Sequence, residues 1–177
     1  MSFLDKIVAT VTPPESDETR VQARARALAE TTPGDWLSQV IKHHQQIEQA
    51  FEDVRQAGEP SGRRQAQKQL STLFLGHSNA EEAVLYPEMA DTGHKAHAGL
   101  AYEEQAMTKV QFALLDKLEP MSQDYLDKLE HIRGAVTHHM YQEESSWLLD
   151  LKAEVPSERQ HVLAERYQLE MSRYIAE

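Results

Sequence analysis

The chain of 177 residues contains no cysteine, and glycine and proline are scarce, with seven of each. Without cysteine there are no disulfides, thiolate zinc sites, iron–sulfur clusters or cysteine nucleophiles. Aromatic residues make up only 7% of the chain, which is unlike the composition of a β-sandwich or a barrel. The scarcity of helix breakers and the many Ala, Glu, Gln and Leu residues favour an all-α protein.

Basic residues are also few. The chain has 18 Lys and Arg residues and 29 Asp and Glu residues, which give a formal net charge of −11. Nucleic-acid binding needs a basic surface, so we expect no nucleic-acid partner. No apolar run approaches the roughly 18 residues of a membrane span, and the first residues lack the apolar stretch of a signal peptide. We therefore expect a cytoplasmic protein with no membrane partner. What the chain does contain is nine histidines.

Apolar residues recur at spacings of three and four along most of the chain, which indicates amphipathic helices. The predicted helices cover 17–30, 36–56, 63–86, 94–118, 122–153 and 157–175, after a short apolar stretch over 3–11. The four long middle helices, joined by short loops, predict an up-down-up-down four-helix bundle with additional N-terminal and C-terminal helices. We interpret 1–177 as a single domain with an N-terminal helical extension over 1–34, the bundle over 35–153 and a C-terminal helix over 154–177.

Three of the bundle helices place metal-binding residue types inside their apolar stripes. His44 lies on the first, the pair His77 and Glu81 on the second, and the pair His139 and Glu143 on the fourth. Residues four apart lie on the same helix face, so each pair points an imidazole and a carboxylate toward the bundle interior. A buried unpaired carboxylate is strongly destabilising, and a metal ion would remove that penalty. Mixed imidazole and carboxylate ligands suit iron, manganese or zinc and not calcium.

Simpler explanations exist for each residue taken alone. A single core histidine is usually just hydrogen-bonded, and an isolated His-x-x-x-Glu pair often lies on the surface. Two such pairs in the buried register of different helices, with a further histidine, favour a metal site. A ferritin-like di-iron centre would use Glu-x-x-His motifs, and the only one here joins Glu158 and His161 in the last helix, on what we expect to be a solvated face.

Three segments resemble the hemerythrin-like, or HHE cation-binding, family. They are 41–51, which reads IKHHQQIEQAF, 77–87, which reads HSNAEEAVLYP, and 138–144, which reads HHMYQEE. The resemblance covers about 35–150, and segments 12–17 and 34–37 look like the lead-in of bacterial members. It implies a four-helix bundle around a non-heme di-iron centre, with two Fe ions joined by an oxo or hydroxo bridge and with zinc or manganese as possible substitutes.

Carried over by position, the resemblance implies five metal ligands: His44, His77, Glu81, His139 and Glu143. The apolar stripe selects the second histidine of each His-His pair.

His43 and His138 lie about 100° off that stripe, so we expect them, with Tyr86, at outer positions around the metal. We expect the second acid of each Glu-Glu pair, Glu82 and Glu144, to be solvated.

The third bundle helix departs from the family, which usually has a histidine there within a Glu-His pair. The apolar stripe that we read on this helix consists of Met107, Val110, Leu114 and Leu118. Glu104 is in register with that stripe, so we predict that Glu104 replaces the histidine as a ligand. Gln105 and His97 remain alternatives for this position, and His97 can also lie outside the ligand set as an outer residue.

The family resemblance implies a non-heme di-iron protein that binds or senses O₂, redox state or iron. An alternative is a di-iron enzyme acting on peroxide, nitric oxide or Fe(II), and a second is a metal-free helical interaction module; whether the chain is an enzyme stays open. The expected partner is a small diatomic or peroxide ligand, and the chain is compatible with a homodimer.

Overall fold

A computed structural model describes residues 15–174, and every regular element in that range is helical. The helices are α1 (Asp17–Ala29), α2 (Trp36–Gln56), α3 (Pro60–Ala80), α4 (Tyr86–Asp91), α5 (Lys95–Leu115), α6 (Gln123–Gln142), α7 (Leu148–Glu154) and α8 (Ser157–Ser172). Two π-helical segments, π1 (Glu81–Leu85) and π2 (Glu143–Trp147), join α3 to α4 and α6 to α7. The apolar stretch predicted over 3–11 lies outside the described residues.

Side-chain caps set the starts of three helices. The side chains of Ser16, Asp35 and Ser122 accept hydrogen bonds from the free backbone N–H groups of the first turns of α1, α2 and α6. The predicted bounds of the first bundle helix, 36–56, are confirmed.

The all-α fold and the four-helix bundle are confirmed. The bundle consists of α2, the continuous unit α3–π1–α4, α5, and the continuous unit α6–π2–α7. Helix α1 packs against α2 and π2, and α8 packs across α2 and α3. The two outer helices therefore lie where their side chains can reach the bundle interior, although the domain boundaries at 35 and 153 stay predictions.

The bundle has two apolar clusters. One contains Trp36, Ile41 and Leu85, and the other contains Ile47 and Phe51. His44 lies on α2 between the two clusters and is itself fully buried. A layer of polar residues thus separates the two halves of the core, and this layer is the candidate site.

The second bundle helix is longer than predicted at both ends. It begins at Pro60 and continues through Pro87 to Asp91. Proline lacks a backbone N–H and normally ends or kinks a helix. Here the wide π1 turn immediately precedes Pro87, and the chain continues through the proline as α4.

The predicted register of the third bundle helix is wrong. Met107, Val110 and Leu114 are 45%, 52% and 40% exposed, so the stripe they form faces outward. The buried face of α5 consists of Ala98, Ala101, Gln105, Thr108, Phe112 and Leu115. Because the first four of these inner residues are small or polar, the outer face has the stronger apolar periodicity around Glu104 and gives the wrong register when the pattern is used alone.

Across residues 15–174, no helix is both long and apolar enough to cross a membrane.

The corrected register of α5 can be tested with two alanine substitutions on the same helix. Phe112 is buried and its ring centroid lies 5.1 Å from that of Phe74. We expect Phe112→Ala to lower the free energy of unfolding of the metal-free protein by about 3–5 kcal/mol, because it leaves a cavity. Val110→Ala should change it by less than about 0.5 kcal/mol. Denaturant titration measures both, and comparable losses in the two variants would contradict the corrected register.

Candidate metal centre

Four buried side chains meet in the polar layer of the bundle. They are His44 from α2, His77 from α3, Glu81 at the start of π1 and Glu143 at the start of π2. Each can offer one ligand atom, and these atoms all lie within 4.8 Å of one another. All four residues are at most 1% exposed. Four of the five ligands implied by the family resemblance therefore form one group.

Several atoms of this group have no hydrogen-bond partner. His44 Nε2, Glu81 Oε1 and Glu143 Oε2 are buried without one. His44 Nε2 lies 3.8 Å from Glu81 Oε1 and 3.3 Å from Glu143 Oε2, and His77 Nε2 lies 3.2 Å from Glu81 Oε2. Ligand atoms of a six-coordinate ion with bonds of about 2.1 Å lie about 3 Å apart. The donors are thus at a separation that suits one shared metal ion.

Each π segment begins at one of the two inner carboxylates. The backbone N–H of Tyr86 reaches the carbonyl of Glu81, five residues back, and that of Leu148 reaches Glu143 in the same way. π-helical turns are rare and are frequent at functional sites. Because a π turn advances less per residue than an α turn, it changes which side chains face inward, and regular helical spacing does not predict this change.

Glu144 shows the effect of π2, since it is buried at 2% exposure and the expectation that it is solvated is wrong. Its Oε1 lies 2.8 Å from His44 Nδ1. It also accepts hydrogen bonds of 3.0 Å from the guanidinium of Arg24, on α1. With Nδ1 donating to Glu144, Nε2 of His44 is left as the nitrogen that can bind a metal.

Tyr167 on α8 holds the other histidine of the group. Its buried hydroxyl lies 2.9 Å from His77 Nδ1 and 3.0 Å from His43 Nδ1. Burial and the charge of the neighbouring His44 lower the pKa of His43 to about 4, so His43 is neutral and its Nδ1 is able to accept a hydrogen bond. When His77 carries its proton on Nδ1, it donates to the Tyr167 hydroxyl, the hydroxyl donates to His43, and His77 Nε2 is free to bind a metal. His43 therefore lies outside the four-residue group, and the sequence predictions omitted Tyr167.

Tyr86 is the centre of a hydrogen-bonded cluster on the opposite side of the two carboxylates. Its hydroxyl lies 3.2 Å from Glu81 Oε2, 3.0 Å from Glu143 Oε1 and 3.1 Å from His139 Nε2. The Gln105 amide donates to this hydroxyl and to Glu81 Oε2, both at 2.6 Å. His139, the fifth implied ligand, belongs to this cluster and not to the four-residue group.

The prediction that Glu104 takes the inner position on the third bundle helix is wrong. Gln105 is 1% exposed and points into the centre. Glu104 lies at the edge, where its Oε2 is 2.8 Å from His139 Nδ1. The one-residue difference follows directly from the reversed register of α5. Glu104 thus orients His139 from behind.

The two remaining candidates lie farther out. His97 stacks on Trp147 at a centroid distance of 5.5 Å, and Trp147 in turn contacts His139 edge-on. His138 points toward the N-terminal lead-in, where its Nδ1 lies 2.8 Å from Glu15 Oε2. Neither ring reaches the four-residue group.

Charge is concentrated in the centre, and together with burial it shifts the pKa values of the residues there. Burial and repulsion from Glu143 raise the pKa of Glu81 to about 7. Burial alone would lower the pKa of His139, but the Glu143 carboxylate and hydrogen bonds to Glu104 and Glu143 raise it to about 10. Burial likewise opposes the charge on His44, yet Glu143, Glu144 and Glu81 raise its pKa well above the usual range. Without a metal, protons on these groups offset the buried negative charge.

The residues fit one half of the di-iron centre that the resemblance implies. Two imidazoles and two carboxylates, three of which have an unpartnered atom, are a donor set for iron, manganese or zinc. On the Tyr86 side, the facing atoms of Glu81, Glu143 and His139 already have hydrogen-bond partners. The residues therefore fit a metal ion on the side of His44 and His77 and do not fit a second one beside Tyr86.

The family profile "Hemerythrin HHE cation binding domain" matches residues 37–149, well over half of the chain. The chain belongs to the hemerythrin HHE cation-binding domain family. Every member of the four-residue group lies within the matched range.

One curated relative of this HHE domain is a DNA nickase from Nostoc sp. (strain PCC 7120 / SAG 25.82 / UTEX 2576), which is 23% identical over 116 residues. The aligned segment covers 66% of this chain and 33% of that protein, so the chain spans about a third of the relative's length. No solved structure matches the chain.

Metal affinity of this HHE domain should weaken as pH falls. In the metal-free protein His44 carries a proton at neutral pH, and Glu81, with a pKa of about 7, gains one below that pH. Both must leave before a metal binds. We expect the apparent Zn²⁺ affinity to fall about tenfold from pH 8 to 7 and more steeply from 7 to 6, as measured by competition with a chromogenic chelator. In Glu81→Gln, the additional loss of affinity between pH 7 and 6 should vanish. An affinity that does not change with pH in the unsubstituted protein would refute the assignment of His44 and Glu81 as metal ligands.

Tyr167 should influence metal binding without touching the metal. Tyr167→Phe removes the hydroxyl that orients His77, and we expect metal affinity to fall about 10- to 100-fold. The matched control is Tyr174→Phe, because the Tyr174 hydroxyl contacts Asn79 on the surface. Equal affinities of the two variants in the same chelator competition would contradict the orienting role of Tyr167.

Proposed function

We propose that this HHE domain is a non-heme iron protein that binds or senses O₂, redox state or iron. The observation that carries the proposal is the set of buried, unpartnered atoms of His44, Glu81 and Glu143. Each such atom is costly to bury unless a cation or a donor satisfies it. A bound cation would satisfy all of them at once.

The ligand types favour iron over calcium or magnesium. Two imidazoles with carboxylates, as in sites of non-heme Fe(II), match the four-residue group. Glu144 and Tyr167 support His44 and His77 from behind, as the outer partners of metal-binding histidines do. The carboxylates make the centre anionic, which favours the ferric state. Bound iron would supply one-electron chemistry and affinity for ligands such as O₂ and peroxide. Zinc or manganese could bind to the same four residues.

Burial limits what can reach the centre. The four-residue group is at most 1% exposed, so the residues around it exclude bulk water and large substrates. A diatomic molecule or peroxide is the ligand class that this enclosure favours. His43, which borders a surface cleft between α2 and α8, and Tyr167 connect the group to the outside through hydrogen bonds.

The nickase activity named for the Nostoc relative does not extend to this proposal. The similarity covers a third of that protein, and the net charge of −11 here disfavours contact with a phosphate backbone. The expectation of no nucleic-acid partner stays a prediction.

The proposal is tested on protein purified from iron-replete cells. Elemental analysis should find bound iron, and absorption spectra should change when the reduced protein meets O₂ or peroxide. We expect His44→Gln to lose the metal and the spectral response, because it removes a ligand. His161→Gln should keep both, since His161 pairs with Glu165 on an exposed face.

Three other outcomes separate the alternatives. Zinc with no spectral response would overturn the redox role. Absence of stoichiometric metal, with no loss of stability on chelation, would instead indicate a metal-free interaction module. Sustained turnover of peroxide or nitric oxide, lost in His44→Gln, would identify an enzyme in place of a binding or sensing protein.

A further inference from the structure

The candidate centre is chemically asymmetric about its two carboxylates. On the side of His44, Glu81 Oε1 and Glu143 Oε2 have no hydrogen-bond partner. On the other side, Glu81 Oε2 and Glu143 Oε1 both face the Tyr86 hydroxyl, at 3.2 Å and 3.0 Å. Each carboxylate thus has one oxygen without a hydrogen-bond partner and one oxygen beside the Tyr86 hydroxyl, and Glu81 Oε2 also lies 3.2 Å from His77 Nε2.

The Tyr86 hydroxyl contacts the same kinds of atom that a second metal ion would bind. It is within 3.2 Å of two carboxylate oxygens and 3.1 Å from His139 Nε2. Its ring is fully buried and lies edge-on to Tyr102 at 5.1 Å, and its backbone begins α4 immediately after π1. The hydroxyl is therefore held in place by the ring and the helix that carry it.

Helix α5 supplies no strong ligand to this side. Its inward positions nearest the centre are Ala101, which has no donor atom, and Gln105. The near amide atom of Gln105 is its nitrogen, 2.6 Å from Glu81 Oε2 and 2.6 Å from the Tyr86 hydroxyl, while its Oε1 is buried without a hydrogen-bond partner. An N–H group pointing at this position favours an oxygen acceptor there and repels a cation.

We propose that this HHE domain holds one divalent first-row metal ion, on His44, His77, Glu81 and Glu143, and that the Tyr86 hydroxyl and Gln105 amide occupy the position of a second ion. The inference rests on the proposed function, in that the centre must bind metal. It departs from the two-ion centre that the family resemblance implies. His139 then serves as a hydrogen-bonding residue, held between Glu104 and Tyr86, and does not bind metal.

The test is a metal count. The full-length protein is loaded with excess Fe(II) without oxygen, separated from free iron by gel filtration and assayed for iron against protein from amino-acid analysis. We expect about one iron per chain in the unsubstituted protein. After oxidation, low-temperature electron paramagnetic resonance should show an isolated high-spin Fe(III) signal, which an oxo-bridged pair lacks.

A double variant tests the cause of the asymmetry. Tyr86→Phe with Gln105→His removes the hydroxyl and adds an imidazole on the inward face of α5, and we expect the count to rise to about two. The matched control is Glu103→His, which adds a histidine on the exposed face of the same helix and should stay at one. A count that remains at one in a folded double variant would contradict the role assigned to Tyr86 and Gln105.

The outcomes for the unsubstituted protein keep the two proposals apart. Zero bound metal overturns the proposed function. Two ions per chain leave that function standing and overturn only the one-ion centre. In the latter case, a visible phenolate-to-Fe(III) band that disappears in Tyr86→Phe would show that Tyr86 is itself a ligand. Because this count needs no variant, it decides the inference even if the double variant fails to fold.

Discussion

The structure depends on the burial of two carboxylates, Glu81 and Glu143, that face each other in the middle of a helical bundle. Burial and the repulsion between the two charges raise the pKa of Glu81 to about 7. The surrounding polar groups are arranged to offset this repulsion. This requirement also explains why the two outer helices are part of the site: α1 brings Arg24 to Glu144, and α8 brings Tyr167 to His77. An isolated four-helix bundle would lack both supports.

The two π segments bring side chains to the centre that a regular α-helix would point elsewhere. A His-x-x-x-Glu pair already places an imidazole and a carboxylate on one face. Adding a residue to the turn at Glu143 also brings Glu144 inward, so that consecutive acids serve different roles, one toward the centre and one behind His44. At π1 the same widening precedes Pro87, and α4 can continue and present Tyr86 to the carboxylates.

Apolar periodicity predicted the inward residues correctly only where the inner face of a helix is more apolar than its outer face. His44 lies between Ile41 and Ile47, large apolar residues that mark the buried face, and it is fully buried, as that stripe predicts. On α5 the contrast is reversed, with Ala101 and Gln105 inside and Met107 outside, so the periodicity points to Glu104, which is one residue away from the true inner position. Glu144 and Tyr167 escape prediction for other reasons. The first depends on a π turn, and the second on packing between segments 90 residues apart.

The asymmetry of the centre follows from which partners the bundle offers on each side. On the α2 and α3 side, the neighbours of the carboxylates are the Nε2 atoms of His44 and His77, which Glu144 and Tyr167 leave free to bind a cation. On the α5 side, the neighbours are the Gln105 amide and the Tyr86 hydroxyl, and both can donate a hydrogen bond. A carboxylate oxygen that already accepts from a neutral donor gains less from a cation than one with no partner. The same two carboxylates can therefore bind metal on one side and form ordinary hydrogen bonds on the other, with the choice made by the residues on α5 and α4.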